Sequence, residues 1–291
     1  MDDVTRFNEA LWRGECETVA RLAKGIDPDG EDRWHRTPLV MAAQYGDVAL
    51  VRLLLARGAA ADAGRRYLTP MTHAVRRGAD DIVRALRDAG ATVSIVTSVY
   101  LGDRPAVARA QDATSIVDEE GTPLLLHAAQ SLHTGIIAEL LDRGAAIDAG
   151  DRFGESALHR VADLRHADPE RASAAATLLL DRGAAIDTVN RDLVTPLHQA
   201  VRARNLAVTQ VLLARGANSN ARDKRGSTPL HRAVTSTGAG RTRGSDATPF
   251  VEALLAHGAD ADVPDERGRT PRVAARAPAI RALLTAGARP E

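Results

Sequence analysis

Three histidines stand in near-identical settings: Ser156-Ala157-Leu158-His159, Thr195-Pro196-Leu197-His198 and Thr228-Pro229-Leu230-His231. Imidazoles recurring in this way raise a metal site first. Such a site needs its ligands to converge on one ion at about 2.0–2.1 Å. Here the residues fall one per structural unit, and stacked helices lie about 8–10 Å apart, so they form a ladder rather than a cluster. His127 sits one residue off that register. Cys16 is the only cysteine, which excludes an internal disulfide and a zinc-finger pattern, and no histidine or asparagine is placed to activate it. Glu119-Glu120 and the Asp-x-x-Gly turns read as links between units, not as an acid–base pair or calcium loops. No Gly-x-Ser-x-Gly, phosphate-binding loop, dinucleotide fingerprint or His-Glu-x-x-His occurs. The expectation is a non-enzymatic chain with no catalytic residue, metal or cofactor.

The same tetrapeptides reveal the elements that carry them. Thr-Pro-Leu or a close variant begins at Thr37, Thr69, Thr122, Thr195 and Thr228, with weaker copies at Ser156 and Thr270. A period near 33 residues means one supersecondary unit copied along the chain. In the stretch from Thr37 to Gly58, Thr37 is placed to cap a helix whose first residue, Pro38, has no N–H to leave unpaired. Leu39, Ala42 and Ala43 share one face of it. Gly46 ends it, because glycine accepts positive φ. Asp47 starts a second helix carrying Val48, Val51, Leu54 and Leu55, and Gly58 closes that one. Gly78 and Gly90 repeat the pattern after Thr69. Turn-rich links such as 220–227 separate the units.

These residues resemble the ankyrin-repeat family. Its Thr-Pro-Leu-His-x-Ala pattern matches 195–200 and 228–233 at every fixed position, and its link pattern matches Gly216 to Thr228. The resemblance implies an all-α solenoid of about nine helix-turn-helix units with hairpin-like links. Threonine-equivalents are read at 5, 37, 69, 93, 122, 156, 195, 228 and 270. Residues 1–32 read as an N-terminal capping repeat, 33–117 and 118–265 as repeats, and 266–291 as a C-terminal cap. Insertions near 163–173 and 236–247 are expected to project between the two helices of their units. The unit at 91–117 is degenerate, with six β-branched residues among 92–99, and the weakest stacking is expected there.

Composition narrows the partner. The chain has 38 basic and 38 acidic residues, so no global field favours nucleic acid or a membrane surface. Nearly all basic charge is arginine, which with the abundant alanine reads as bacterial, GC-rich coding. The acidic start and short apolar runs fit neither a signal peptide nor a membrane span. A cytoplasmic monomer is expected.

In the family, partner contacts come from the link tips and the exposed positions of the first helix. Carried over by register, the contact set here is Arg33, Trp34, Arg36, Met41, Tyr45, Arg66, Tyr67, His73, Arg76, Arg77, Arg152, Phe153, Arg160, Arg225 and Arg232. Trp34, Tyr67 and Phe153 are three of only eight aromatics, at positions where the fold needs none. Aromatics beside arginines are enriched at interface hot spots. The expected function is a protein-binding scaffold whose concave arginine-rich face suits an acidic segment of a partner. An inhibitory or immunity-type subunit that masks an enzyme or toxin is the alternative.

Overall fold

The computed structural model describes residues 2–64, 69–118, 120–165, 167–235 and 247–286. Among them are eighteen helices and no strand. Contacts divide the chain into two compact units, residues 1–113 with 117–119, and residues 114–116 with 120–291.

The first unit holds α1 (Asp3–Arg13), α2 (Cys16–Leu22), α3 (Pro38–Tyr45), α4 (Val48–Ala56), α5 (Pro70–Arg77), α6 (Asp80–Asp88), α7 (Ile95–Tyr100) and α8 (Arg104–Arg109). First helices pack on first helices, as α3 on α5, and second on second, as α4 on α6. Between them lies an aliphatic core that includes Leu39, Ala42, Leu54, Met71, Ile82 and Leu86, each fully enclosed. Small alanines allow this close approach, and no helix could bury its apolar stripe alone.

Capping follows the local chemistry. The hydroxyls of Thr37 and Thr69 accept from the N–H three residues on, and Gly46 and Gly78 close their helices at positive φ. Asp47 caps α4. Two sequence expectations shift. The degenerate unit is capped by Ser94, whose hydroxyl accepts the Thr97 N–H at 3.1 Å, and not by Val93, which has no acceptor to offer. Helix α1 starts at Asp3 under the Asp2 carboxylate, so Thr5 lies inside its first turn.

The second unit holds α9 (Leu124–Ser131), α10 (Thr134–Asp142), α11 (Ala157–Ala162), α12 (Pro169–Asp181), α13 (Pro196–Ala203), α14 (Leu206–Ala214), α15 (Pro229–Thr235), α16 (Thr248–Ala256), α17 (Pro271–Ala274) and α18 (Pro278–Ala286). Much of the expected 163–173 insertion is not loop. Asp168 caps a helix beginning at Pro169, and α12 runs 13 residues against nine in α10 or α14. The second insertion, 236–247, falls outside the described residues except at Ala247.

Side-chain carboxylates and a carboxamide lace neighbouring repeats together. Asp29, Asp62, Asp148, Asp187 and Asn220 each accept an N–H from the following repeat, at 2.7 to 3.0 Å. These bonds fix the spacing at which the link tips present themselves.

Candidate functional site

Five link tips share one construction, at 32–36, 151–155, 190–194, 223–227 and 265–269. In each, the first residue is Asp or Asn, and its Oδ1 accepts the N–H groups two and four residues on. At the fourth tip, Asp223 takes Arg225 at 2.8 Å and Ser227 at 2.9 Å. The main chain closes the same turn, as with Asp223 N–H to the Ser227 carbonyl at 3.0 Å. The fourth residue must adopt positive φ: Gly154, Gly226 and Gly268 do so, and so do His35 and Leu193.

Leu193 is therefore strained, since a left-handed conformation costs a non-glycine residue about 1–2 kcal/mol. Its side chain is largely in solvent. Leu193→Gly should raise stability by about 1 kcal/mol, read as a higher urea midpoint at unchanged slope. An unchanged or lower midpoint would contradict the strain.

The remaining oxygen of each tip carboxylate is neutralised from within the repeat. Arg160 pairs with Asp151, and Arg232 with Asp223 at 2.6 Å, both from the first helix nine residues after the carboxylate. Arg36 and Arg269 serve Asp32 and Asp265 from four residues on, at 2.8 and 2.9 Å. The third tip has Asn190, which needs no cation, and nine residues later stands Gln199. Burial pushes the Asp223 carboxyl up, but the Ser227 N–H, the Arg232 guanidinium and the Arg225 N–H outweigh it and hold the group below its ordinary range. Asp32 is held down in the same way by Arg36 and Asn8.

This construction places the residues read from sequence. Met41, nine residues after Asp32, is fully buried and offers no surface to a partner. Arg160 and Arg232 occupy the corresponding position and face inward too, as ion-pair partners of their own tips. Arg36 is likewise engaged by Asp32. Arg77 donates to the Gln44 carbonyl at 3.1 Å, tying α5 to α3. Arg76 lies over the Tyr100 ring at 5.6 Å. Tyr45 and His73 are half-buried, and burial together with Arg76 pushes the His73 imidazole down to about 4. Arg66 and Tyr67 lie outside the described residues.

Trp34 and Phe153 are exposed, at 48% and 53%. The Trp34 ring is flanked by the guanidiniums of Arg33 at 3.9 Å and Arg36 at 4.5 Å. Arg33 also reaches Glu9 at 3.5 Å. Phe153 lies beneath Arg152 at 4.8 Å, and Arg152 reaches Glu120 at 3.5 Å. Arg225 is exposed.

The histidines complete the frame. His198 Nδ1 accepts the Thr195 N–H at 3.3 Å, and its Nε2 meets the Ser227 carbonyl at 3.0 Å. His159 bridges Ser156 to Val194, and His231 bridges Thr228 to Arg269, in the same way. Each ring thus spans from its own helix cap to the carbonyl just before the next one. In the first unit Asn8 makes the far half of this bridge, donating to the Arg36 carbonyl at 3.1 Å, while its Oδ1 accepts nothing. Both ring nitrogens are occupied in all three histidines.

In the second unit the tips also join one another. The carbonyls of Phe153, Asp192 and Arg225 accept the N–H groups of Arg191, Lys224 and Glu266, at 2.9 to 3.0 Å. The result is a continuous main-chain edge with two polar clefts beside it, of about 380 and 480 Å³.

Family models match three stretches: ankyrin repeats (3 copies) over 7–97, ankyrin repeats (many copies) over 179–233, and a single ankyrin repeat over 225–266. Among solved structures, the chain is similar to the ankyrin repeat domain of Bcl-3, described as a unique member of the IkappaB protein family. The two share 28% identity over 86% of this chain and 98% of that one, with a TM-score of 0.50. No curated protein matches the sequence. Ankyrin repeats mediate protein–protein interaction and are typically non-catalytic. No helix among the described residues is long and apolar enough to cross a membrane. With helix pairs, capped Thr-Pro-Leu turns and Asp-braced tips repeated along it, the chain belongs to the ankyrin-repeat family.

Proposed function

We propose that this chain is a non-catalytic scaffold that captures a partner protein on the face formed by its link tips and first helices. The observation that carries this reading is the pair of exposed tip aromatics, Trp34 and Phe153, each stacked on arginine. Burying either ring in the core would be favourable for the chain alone, yet both stand on rigid turns whose carboxylates hold them outward. A rigid aromatic offered with a guanidinium loses little entropy on docking and brings a large contact area.

Pull-down from the native host with the wild-type chain and with Trp34→Ala and Phe153→Ala tests it. At least one substitution should weaken partner capture roughly thirtyfold, the size of a hot-spot loss near 2 kcal/mol. Circular dichroism should be unchanged, because both rings are exposed. Undiminished capture by both folded variants would refute the tip-centred reading.

A further inference from the structure

Arg225 and Arg267 are the third residues of consecutive tips, and the main chain joins those tips where the Glu266 N–H donates to the Arg225 carbonyl at 3.0 Å. The neighbouring arginines are engaged: Arg232 with Asp223, Arg269 with Asp265, Arg202 with Asp163. Arg225 and Arg267 have no ion-pair partner among the described residues, and both line the cleft of about 480 Å³. Glu266 is the only unpaired carboxylate in that lining, so positive charge is in excess there.

Arg225 also borders the second cleft, of about 380 Å³, where Gln199 is buried. Gln199 donates Nε2 to Glu155 at 2.6 Å, and its Oε1 is left buried without a partner. Buried polar atoms in native proteins are almost always satisfied, so an orphan acceptor beside a cleft marks a place for a donor.

Building on the scaffold reading, we infer that the tips at 190–194, 223–227 and 265–269 form the docking groove for an extended acidic segment of the partner. One carboxylate of that segment seats between Arg225 and Arg267, and an N–H of the same chain fills the acceptor of Gln199. Nucleic acid fits less well. Its charge recurs at every phosphate, and Glu155, Asp192 and Glu266 would repel part of it, whereas a peptide can space its acids to avoid them.

The test is fluorescence anisotropy with the full chain and three labelled probes. These are a ten-residue Gly/Ser peptide with glutamate at every third position, its glutamine counterpart, and a ten-nucleotide DNA single strand. The glutamate peptide should bind, and the glutamine peptide should bind about tenfold more weakly. Arg225→Ala with Arg267→Ala should remove about the same factor, while Glu266→Gln should tighten binding about twofold. No binding of the glutamate peptide, equal binding of both peptides, an indifferent double variant or a preference for the oligonucleotide would each overturn the inference. Partner capture that depends on Trp34 or Phe153 but ignores Arg225 and Arg267 would overturn it while leaving the scaffold reading intact.

Discussion

Replacing Asp223 with alanine is expected to lower stability by about 3 kcal/mol, the lower end of the range for breaking a buried ion pair. Three donors lose their acceptor at once: the N–H groups of Arg225 and Ser227 and the Arg232 guanidinium. Arg232 keeps some contact with water, which is why the lower end applies. Asp223→Asn should cost less, about 1–2 kcal/mol, because Oδ1 still accepts both main-chain N–H groups and only the cation is stranded. Adding Arg232→Gln to Asp223→Asn should recover part of that loss, since it removes the stranded guanidinium and leaves at position 223 the amide that already braces the tip at Asn190. Urea unfolding of wild type, Asp223→Asn, Arg232→Gln and the double variant gives the coupling directly. The construction would be disproved by an alanine variant within about 0.5 kcal/mol of wild type, the usual scatter of inert surface changes. A double variant no better than Asp223→Asn alone would disprove it equally.

That pairing explains why part of the site escaped the sequence. The helix caps were legible because their chemistry is local: a hydroxyl, a proline and a glycine at fixed steps decide them. The exception follows the same physics: the repeat spacing places a cap at Val93, which has no acceptor, whereas the hydroxyl of Ser94 accepts the Thr97 N–H. Positions 41, 160 and 232 were read as outward-facing because a bare helix exposes them. The link folds back over the helix, however, and places the buried carboxylates of Asp151 and Asp223 against Arg160 and Arg232. The signal is a correlation at a spacing of nine: Asp151 with Arg160 and Asp223 with Arg232. It leaves Trp34 and Phe153 exposed at their tips. It also separates arginines that balance their own repeat from those, like Arg225, left with charge to spare.

Acid should weaken the second unit in a defined window through its histidine bridges. Burial pushes His198 down to about 4 from its ordinary 6.5, and lowers His159 as well. The geometry gives the reason. Nδ1 must accept the Thr195 N–H, so a proton there would set two donors against each other, while Nε2–H already serves the Ser227 carbonyl. The unfolded chain has no such constraint and binds the proton near pH 6.5. The neutral ring therefore contributes its full stability above pH 6.5, loses it as pH falls from 6.5 to about 4, and loses nothing further below. Over that window the His198 share is roughly 3 kcal/mol, at about 1.4 kcal/mol per unit. The carboxylates held low at Asp223 and Asp265 begin to cost stability as the unfolded chain protonates them, from about pH 5 downward, so the histidine effect stands alone between pH 6.5 and about 5. His198→Asn separates the two effects, because an amide does not titrate in this range and, as Asn8 shows, can still donate to the carbonyl before the next cap. The variant should be less stable at pH 7.5 by about 1–2 kcal/mol, for imperfect hydrogen bonds. Its stability should fall less between pH 6.5 and 4 than that of the wild type, so the two curves converge and then cross on acidification. Urea midpoints at pH 7.5, 5.5 and 4.5 measure this, and parallel curves for the two proteins would show that the bridge is not what acid breaks.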